Sequence, residues 1–270
     1  MAELADAWRT YWILGGARVR SDMQYRASFA LFTLSQFTIT LLDFVAIVIV
    51  FTNIPRLEGW TLGEVAFLYG LGNFAFGIAD LFIGSIEYLQ VEIRMGTLDR
   101  ILLRPASPLV QIVADRFSLR RLGKVAEGAL VFAIGCGAAN IDWSIERVAM
   151  TALSVLTAAT IFGGVWVLTS CVCYWWVEAR EAQNAFTYGG GFLAQYPLGI
   201  YGSWLRRIFA YVIPIAFANY FPAVYILERD DRLGFPTWAP FASPLVAVIV
   251  VVVASSVWRV GIRHYRSTGS

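Results

Sequence analysis

One lysine and one histidine serve all 270 residues, and only 15% of positions are charged. Each shortage removes a class of chemistry. Lys124 stands in "GKVAE" with no Ser or Thr behind it, so no Gly-Lys-Ser/Thr phosphate loop can be assembled. With His264 as the one histidine, near the C-terminus, histidine-based metal clusters are excluded and a Ser-His-Asp triad has a poor start. The three cysteines, Cys136, Cys171 and Cys173, lie in apolar stretches and read as core or lipid-facing residues, with no disulfide framework implied. A net charge of +2 points to no nucleic-acid partner.

What fills the chain instead is apolar. Hydrophobic residues make up 58% and aromatics 15%, with a mean hydropathy of +0.63. A soluble domain is about 25% charged, so this chain is built for lipid. A spanning helix needs about 20 apolar residues. Five windows qualify: Ala27–Phe51 (holding Asp43), Thr61–Ser85, Leu122–Ala139, Val148–Val177 and Phe241–Trp258. A further span is expected over 182–200. The fold expected is therefore an all-α integral membrane domain with six transmembrane helices. Residues 1–26 read as an amphipathic interfacial helix rather than a cleavable signal: Leu4, Trp8 and Trp12 recur every four residues with Tyr11 beside them.

The basic residues orient these spans. With a cytoplasmic N-terminus, the inner segments hold Arg9, Arg18, Arg20 and Arg26, then the run from Arg94 to Lys124, then Arg180, Arg259, Arg263 and Arg266. The outer loops hold only Arg56, Arg147, Arg229 and Arg232, with Arg206 and Arg207 unassigned. That bias places both termini in the cytoplasm. It also makes 87–121 the largest cytoplasmic loop. Its Leu98, Ile101, Leu102 and Leu103 are too many for a wholly wet face, so burial against something is expected. Ser107-Pro108 reads as a helix start, with Ser as N-cap, followed by the stripe Leu109, Ile112, Val113 and Phe117.

The stretch "EIRMGTLDRILLRPASPLVQIVADR" resembles the loop of type-2 ATP-binding-cassette exporter permeases, which carry an acid, Gly-Thr-Leu-acid, Leu-Leu and Pro ahead of an amphipathic helix. The matching positions are Glu92, Gly96, Thr97, Leu98, Asp99, Leu102, Leu103 and Pro105. "YPLGIYGSWLRRIFAYVIPIAFANYFPAVYIL" and "WRVGIRHYRSTGS" are similar to one bacterial subfamily, in which a second permease and an ATPase are encoded alongside. The resemblance implies a cytoplasmic coupling helix between spans two and three, made of these positions with Arg100 and Arg104, that seats on a separate ATP-binding-cassette ATPase subunit. ATP and Mg would belong to that partner, and this chain would bind no cofactor or metal. It also implies pairing with a second permease, a different one being expected over a second copy of this chain, and residence in a bacterial inner membrane. Between spans five and six it implies outer re-entrant helices over 201–227, for which Pro197, Pro214, Asn219 and Pro222 are the gate candidates. A competing threading makes 207–227 the fifth span.

Four acids lie in or beside the spans, where charge is costly and marks function by default. Glu64 reads as an interface residue, and Glu127 as a helical ion pair with Lys124 three residues earlier. Asp80, near the inner end of span two, is a pathway or dimer-seam candidate beside the simpler readings of snorkelling or capping. Asp43 has no basic residue in its span, so it faces a polar pathway, a dimer seam, or a structural partner such as Asn73. The rival function is an ion-driven antiporter using these acids directly; the absence of an internal repeat speaks against it.

Overall fold

The computed structural model describes residues 2–229 and 233–266, with side chains described from Asp6 onward except Ala7. The Leu4 side chain, Arg232 and the tail from 267 lie outside the described residues. Among the described residues the chain is helical with no strand. Helix α1 (Ala2–Asp22) runs through a short 3-10 turn into α2 (Arg26–Asn53). Then come α3 (Leu62–Ile83), three short helices α4 (Leu89–Arg94), α5 (Leu98–Leu102) and α6 (Pro108–Asp115), and the return helix α7 (Leu122–Ala138). Helix α8 (Ile145–Cys171) and α9 (Arg180–Leu193) follow, then the broken segment holding α10 (Ser203–Arg207) and α11 (Tyr220–Ile226), and last α12 (Ser243–His264).

Among the described residues four stretches are long and apolar enough to cross a membrane: 8–53, 62–94, 145–174 and 243–264. A bent pair, Ser203–Val212 with Ile215–Ile226, passes the same test as a unit and turns by 74° at its break. Helix α7 is 17 residues long and α9 only 14. Each is short of the ordinary span of about 20 residues.

Helix starts are set locally. Thr61 and Glu64 form a capping box at α3: the Thr61 backbone N–H donates to Glu64 Oε2 at 2.7 Å, and Thr61 Oγ1 accepts from the Glu64 N–H at 3.4 Å. Ser144 Oγ accepts from the Arg147 N–H at 3.3 Å to start α8. Ser107 holds the N-cap position of α6 with Pro108 at the first turn, but its hydroxyl makes no capping bond.

Helices α3 and α7 pack antiparallel, and glycine decides how closely. A Cβ at Gly63 would fall 2.3 Å from the Ala138 carbonyl oxygen, at Gly70 2.3 Å from Phe132 N, and at Gly77 3.1 Å from Val125 Cα. From the other side, a Cβ at Gly128 would meet Phe74 N at 2.5 Å and one at Gly135 would meet Phe67 N at 2.3 Å. Both sets repeat every seven residues, so each helix offers a glycine seam to the backbone of the other. In lipid, where no hydrophobic force drives helices together, such close backbone contact supplies the packing energy. Gly123 extends the seam to α2, where a Cβ would lie 2.2 Å from the Thr33 carbonyl oxygen. Helix α8 packs on α3, and α12 on α8.

Helix α1 docks through one aromatic. Tyr11 is buried against Phe82 and Phe117, ring centroids 6.3 Å and 6.2 Å away, and its hydroxyl donates to the Phe82 carbonyl at 3.3 Å. Trp8 and Trp12 are exposed on the other side. The stripe read from sequence thus divides: Tyr11 packs inward, and the two tryptophans face out.

Candidate functional site

Two regions gather the sequence candidates. The first is the loop joining α3 to α7. Glu92 on α4 is its organiser: its carboxylate pairs with Arg116 at 2.9 Å and accepts a short hydrogen bond from Thr97 Oγ1. Gly96 turns the chain between α4 and α5 with φ +67°, a left-handed conformation that costs glycine nothing. Gln111 of α6 ties down the far side, Nε2 donating to the carbonyls of Ile101 at 3.2 Å and Ala106 at 2.8 Å. Leu98 is fully buried in the chain's own core, Ile101 and Leu102 are half-buried, and Leu103 is 86% exposed with Met95 at 65%. The burial expected for these apolar residues is met within the chain's own fold by Leu98, Ile101 and Leu102, and not by Leu103. A five-residue helix turns Leu98 inward and leaves Leu103 at its open end. Arg100, Arg104 and Pro105 are exposed. Asp99 lies beside Tyr265 of the C-terminal tail, and burial together with this carboxylate pushes the Tyr265 hydroxyl above its ordinary pKa.

The second region is a pair of cavities lined from α2, α3, α7 and α9, toward the end of the bundle that carries the α3–α7 loop. The larger, about 720 Å³, has walls carrying Arg18, Asp80, Glu87, Arg120, Arg121 and Lys124. Asp80 is buried and doubly paired, with Arg121 Nε at 3.0 Å and Lys124 Nζ at 3.1 Å. Arg121 also donates to Ser85 Oγ at 2.7 Å and lies 3.6 Å from Glu87. The smaller cavity, about 210 Å³, lies deeper and is lined by Asp43, Asn73, Thr40, Gln195, Phe76 and Phe192 among others. Asn73 Oδ1 accepts from Gln195 Nε2 at 3.2 Å. The structural bond expected between Asp43 and Asn73 is not formed among the described residues, and the Asp43 carboxylate is left to the cavity.

The ion pair expected between Lys124 and Glu127 is also corrected. Lys124 reaches across to Asp80 instead, while Glu127 is fully buried and neither of its oxygens has a hydrogen-bond partner among the described residues. Tyr69 and Asn73 stand beside it, and the Tyr69 hydroxyl donates to the Thr40 carbonyl at 3.0 Å. Sequence spacing could not show this, because α3 brings a stronger partner to the lysine from 44 residues away. Glu64 is used in two ways, capping α3 and pairing with Arg229 at 2.7 Å.

The broken segment sits over the opposite end of the bundle. Helix α9 begins near the end of α8, where Gln183 Nε2 donates to Ser170 Oγ at 2.8 Å, and Tyr188 donates to Glu87 at 3.1 Å. After Pro197 the chain reaches the α2–α3 loop, with Gly199 against Glu58. Pro214 stands at the 74° bend. Asn219 then dips back among the helices, its amide donating to the carbonyls of Ala194 and, at 3.5 Å, Leu68. Pro222 falls in the first turn of α11, where its missing N–H costs nothing. The segment ends beside its starting edge, with Glu228 paired to Arg147 and Arg229 to Glu64.

An apolar helical chain with one ordered, tip-exposed loop and polar cavities at the same end has the parts of a membrane permease. No curated protein and no solved structure matches it. The family model of the ABC-2 family transporter protein matches residues 37–269, which takes in the loop, both cavities and the broken segment. The chain is a multi-pass membrane protein and belongs to the ABC-2 transporter family, as the permease component of an ABC transporter.

Proposed function

We propose that this permease is one half of an ATP-driven exporter in a bacterial inner membrane, with both termini in the cytoplasm. The loop 87–121 seats on a separate ATPase subunit, where ATP and Mg are held, and a second, different permease completes the pathway. The observation that carries this reading is Leu103. A leucine 86% exposed at the end of a loop braced by Glu92–Arg116 and by Gln111 stands outside the core of its own chain. A few side chains buried at the centre of a contact carry most of an interface's energy, and Leu103 is placed to be one of them. The basic residues support the same side: Arg94, Arg100, Arg104, Arg116, Arg120, Arg121 and Lys124 all lie at this end.

Asp43, Asn73 and Asp80 line the inner part of the pathway, and 201–227 closes its outer end. The re-entrant reading of 201–227 is supported by its two ends, since Gly199 and Arg229 both meet residues around Glu58–Glu64. Non-helical backbone at membrane depth survives where protein covers it, and the Asn219 amide covers the Ala194 and Leu68 carbonyls. The test is capture of the ATPase by affinity-tagged permease in native membranes. Leu103→Glu is expected to abolish capture at unchanged permease yield; full capture by that variant would remove the coupling role.

A further inference from the structure

The two cavities have three side chains in common: Gln36, Lys124 and Tyr188 belong to the walls of both. Lys124 is the only one of the three that carries charge. Its ammonium rests 3.1 Å from Asp80 Oδ2, over the Phe76 ring at 4.8 Å and the Tyr188 ring at 5.5 Å. It therefore stands in the neck between the larger, inner cavity and the deeper one. Asp80 has a second cation, because Arg121 Nε lies 3.0 Å from the other carboxylate oxygen as an ion pair without a hydrogen bond. Asp43, in the wall of the deeper cavity, has no ion pair among the described residues. Lys124 and Asp43 line the same deeper cavity, and Glu127 follows Lys124 three positions along the same helix.

A lysine carries a compact charge on a flexible four-carbon stem. An unpaired carboxylate at membrane depth is costly. A cation paired with one acid, in the wall of a cavity that holds a second, unpaired one, has two candidate seats, which is what a two-position element requires. We propose that Lys124 is the inner gate of the pathway: paired with Asp80 it closes the neck, and transferred to Asp43 it opens it. This rests on the reading of the cavities as the pathway.

The test measures water access to the deeper cavity. Thr40→Cys places a thiol in that wall alone, in a chain whose Cys136, Cys171 and Cys173 are replaced by alanine, within the intact transporter in inside-out vesicles. A membrane-impermeant thiol reagent of no net charge is used, so that removing a lysine does not alter its approach. With the open state a minor population of about 10% or less, Lys124→Ala is expected to raise the labelling rate about tenfold or more. Lys124→Gln should move it the same way, and Arg121 keeps Asp80 paired in both. Asp43→Asn removes the second seat and should slow labelling, but should change nothing once Lys124 is alanine. That loss of additivity marks an exchange between partners rather than a packing role. Equal labelling with and without Lys124 would overturn the gate and leave the pathway standing. A thiol that never labels in any background would overturn both.

Discussion

Leu98 and Leu103 stand five positions apart, one shut in the chain's own core and the other facing out. Leu98→Glu would bury an unpaired charge, at a cost of several kcal/mol, so the expected outcome is loss of monodisperse protein in detergent. Leu103→Glu sits on the surface, where substitutions usually stay within about 0.5 kcal/mol, so its thermal midpoint should match the parent while ATPase capture fails. The motif marked both leucines as interesting, but a stretch this short has too few turns to fix which face is inward. Asp43 was legible only in part: an acid in a span without a basic partner left a polar pathway, a dimer seam and a structural partner all open. With its carboxylate free in the cavity wall, Asp43→Asn should insert and assemble normally and lower ATP turnover of the reconstituted transporter. Turnover equal to the parent's would make Asp43 a bystander.

Among the elements, the α3–α7 pair carries the sharpest stability expectation. Gly70 has the backbone of Phe132 within 2.3 Å of where a Cβ would go, so even alanine must push the helices apart. Overpacking of a tight contact costs about 1–3 kcal/mol. Gly70→Leu should therefore lower the thermal midpoint clearly, whereas Gly137→Leu, with nothing near its Cβ, should not. Equal midpoints would mean that the seam does not hold the pair. The seam of Gly63, Gly70 and Gly77 emerges only from the packing, not from the apolar runs that marked the span. Its partner helix was not legible either, since hydropathy locates spans without saying which of them touch. The same limit explains Lys124, whose nearest acid in sequence is not its nearest in space.

For the whole molecule, window hydropathy placed α2, α3, α8 and α12 well, because long apolar runs have few alternatives in lipid. It also placed α7, short as that helix is, but was weaker for α9 and for 197–227, where prolines and side-chain amides replace regular helix. The orientation rests on charge, and it is tested by single cysteines. Arg56→Cys on the α2–α3 loop should label in intact cells, and Ser107→Cys at the start of α6 only after permeabilisation. Labelling of Ser107→Cys from outside would invert the molecule and withdraw the coupling role with it.

The glycine seam has a mechanical side. Helices whose backbones touch every seven residues cannot slide or roll without driving a glycine onto a bulkier neighbour, so α3 and α7 move as one plank. The loop that would meet the ATPase joins the end of α3 to the start of α7, which makes it the handle of that plank rather than a flexible tether. A push at Leu103 is then delivered along both helices together. It reaches Asp80 and Lys124 first, at the near end, and the Glu64 contact with Arg229 last, at the far end.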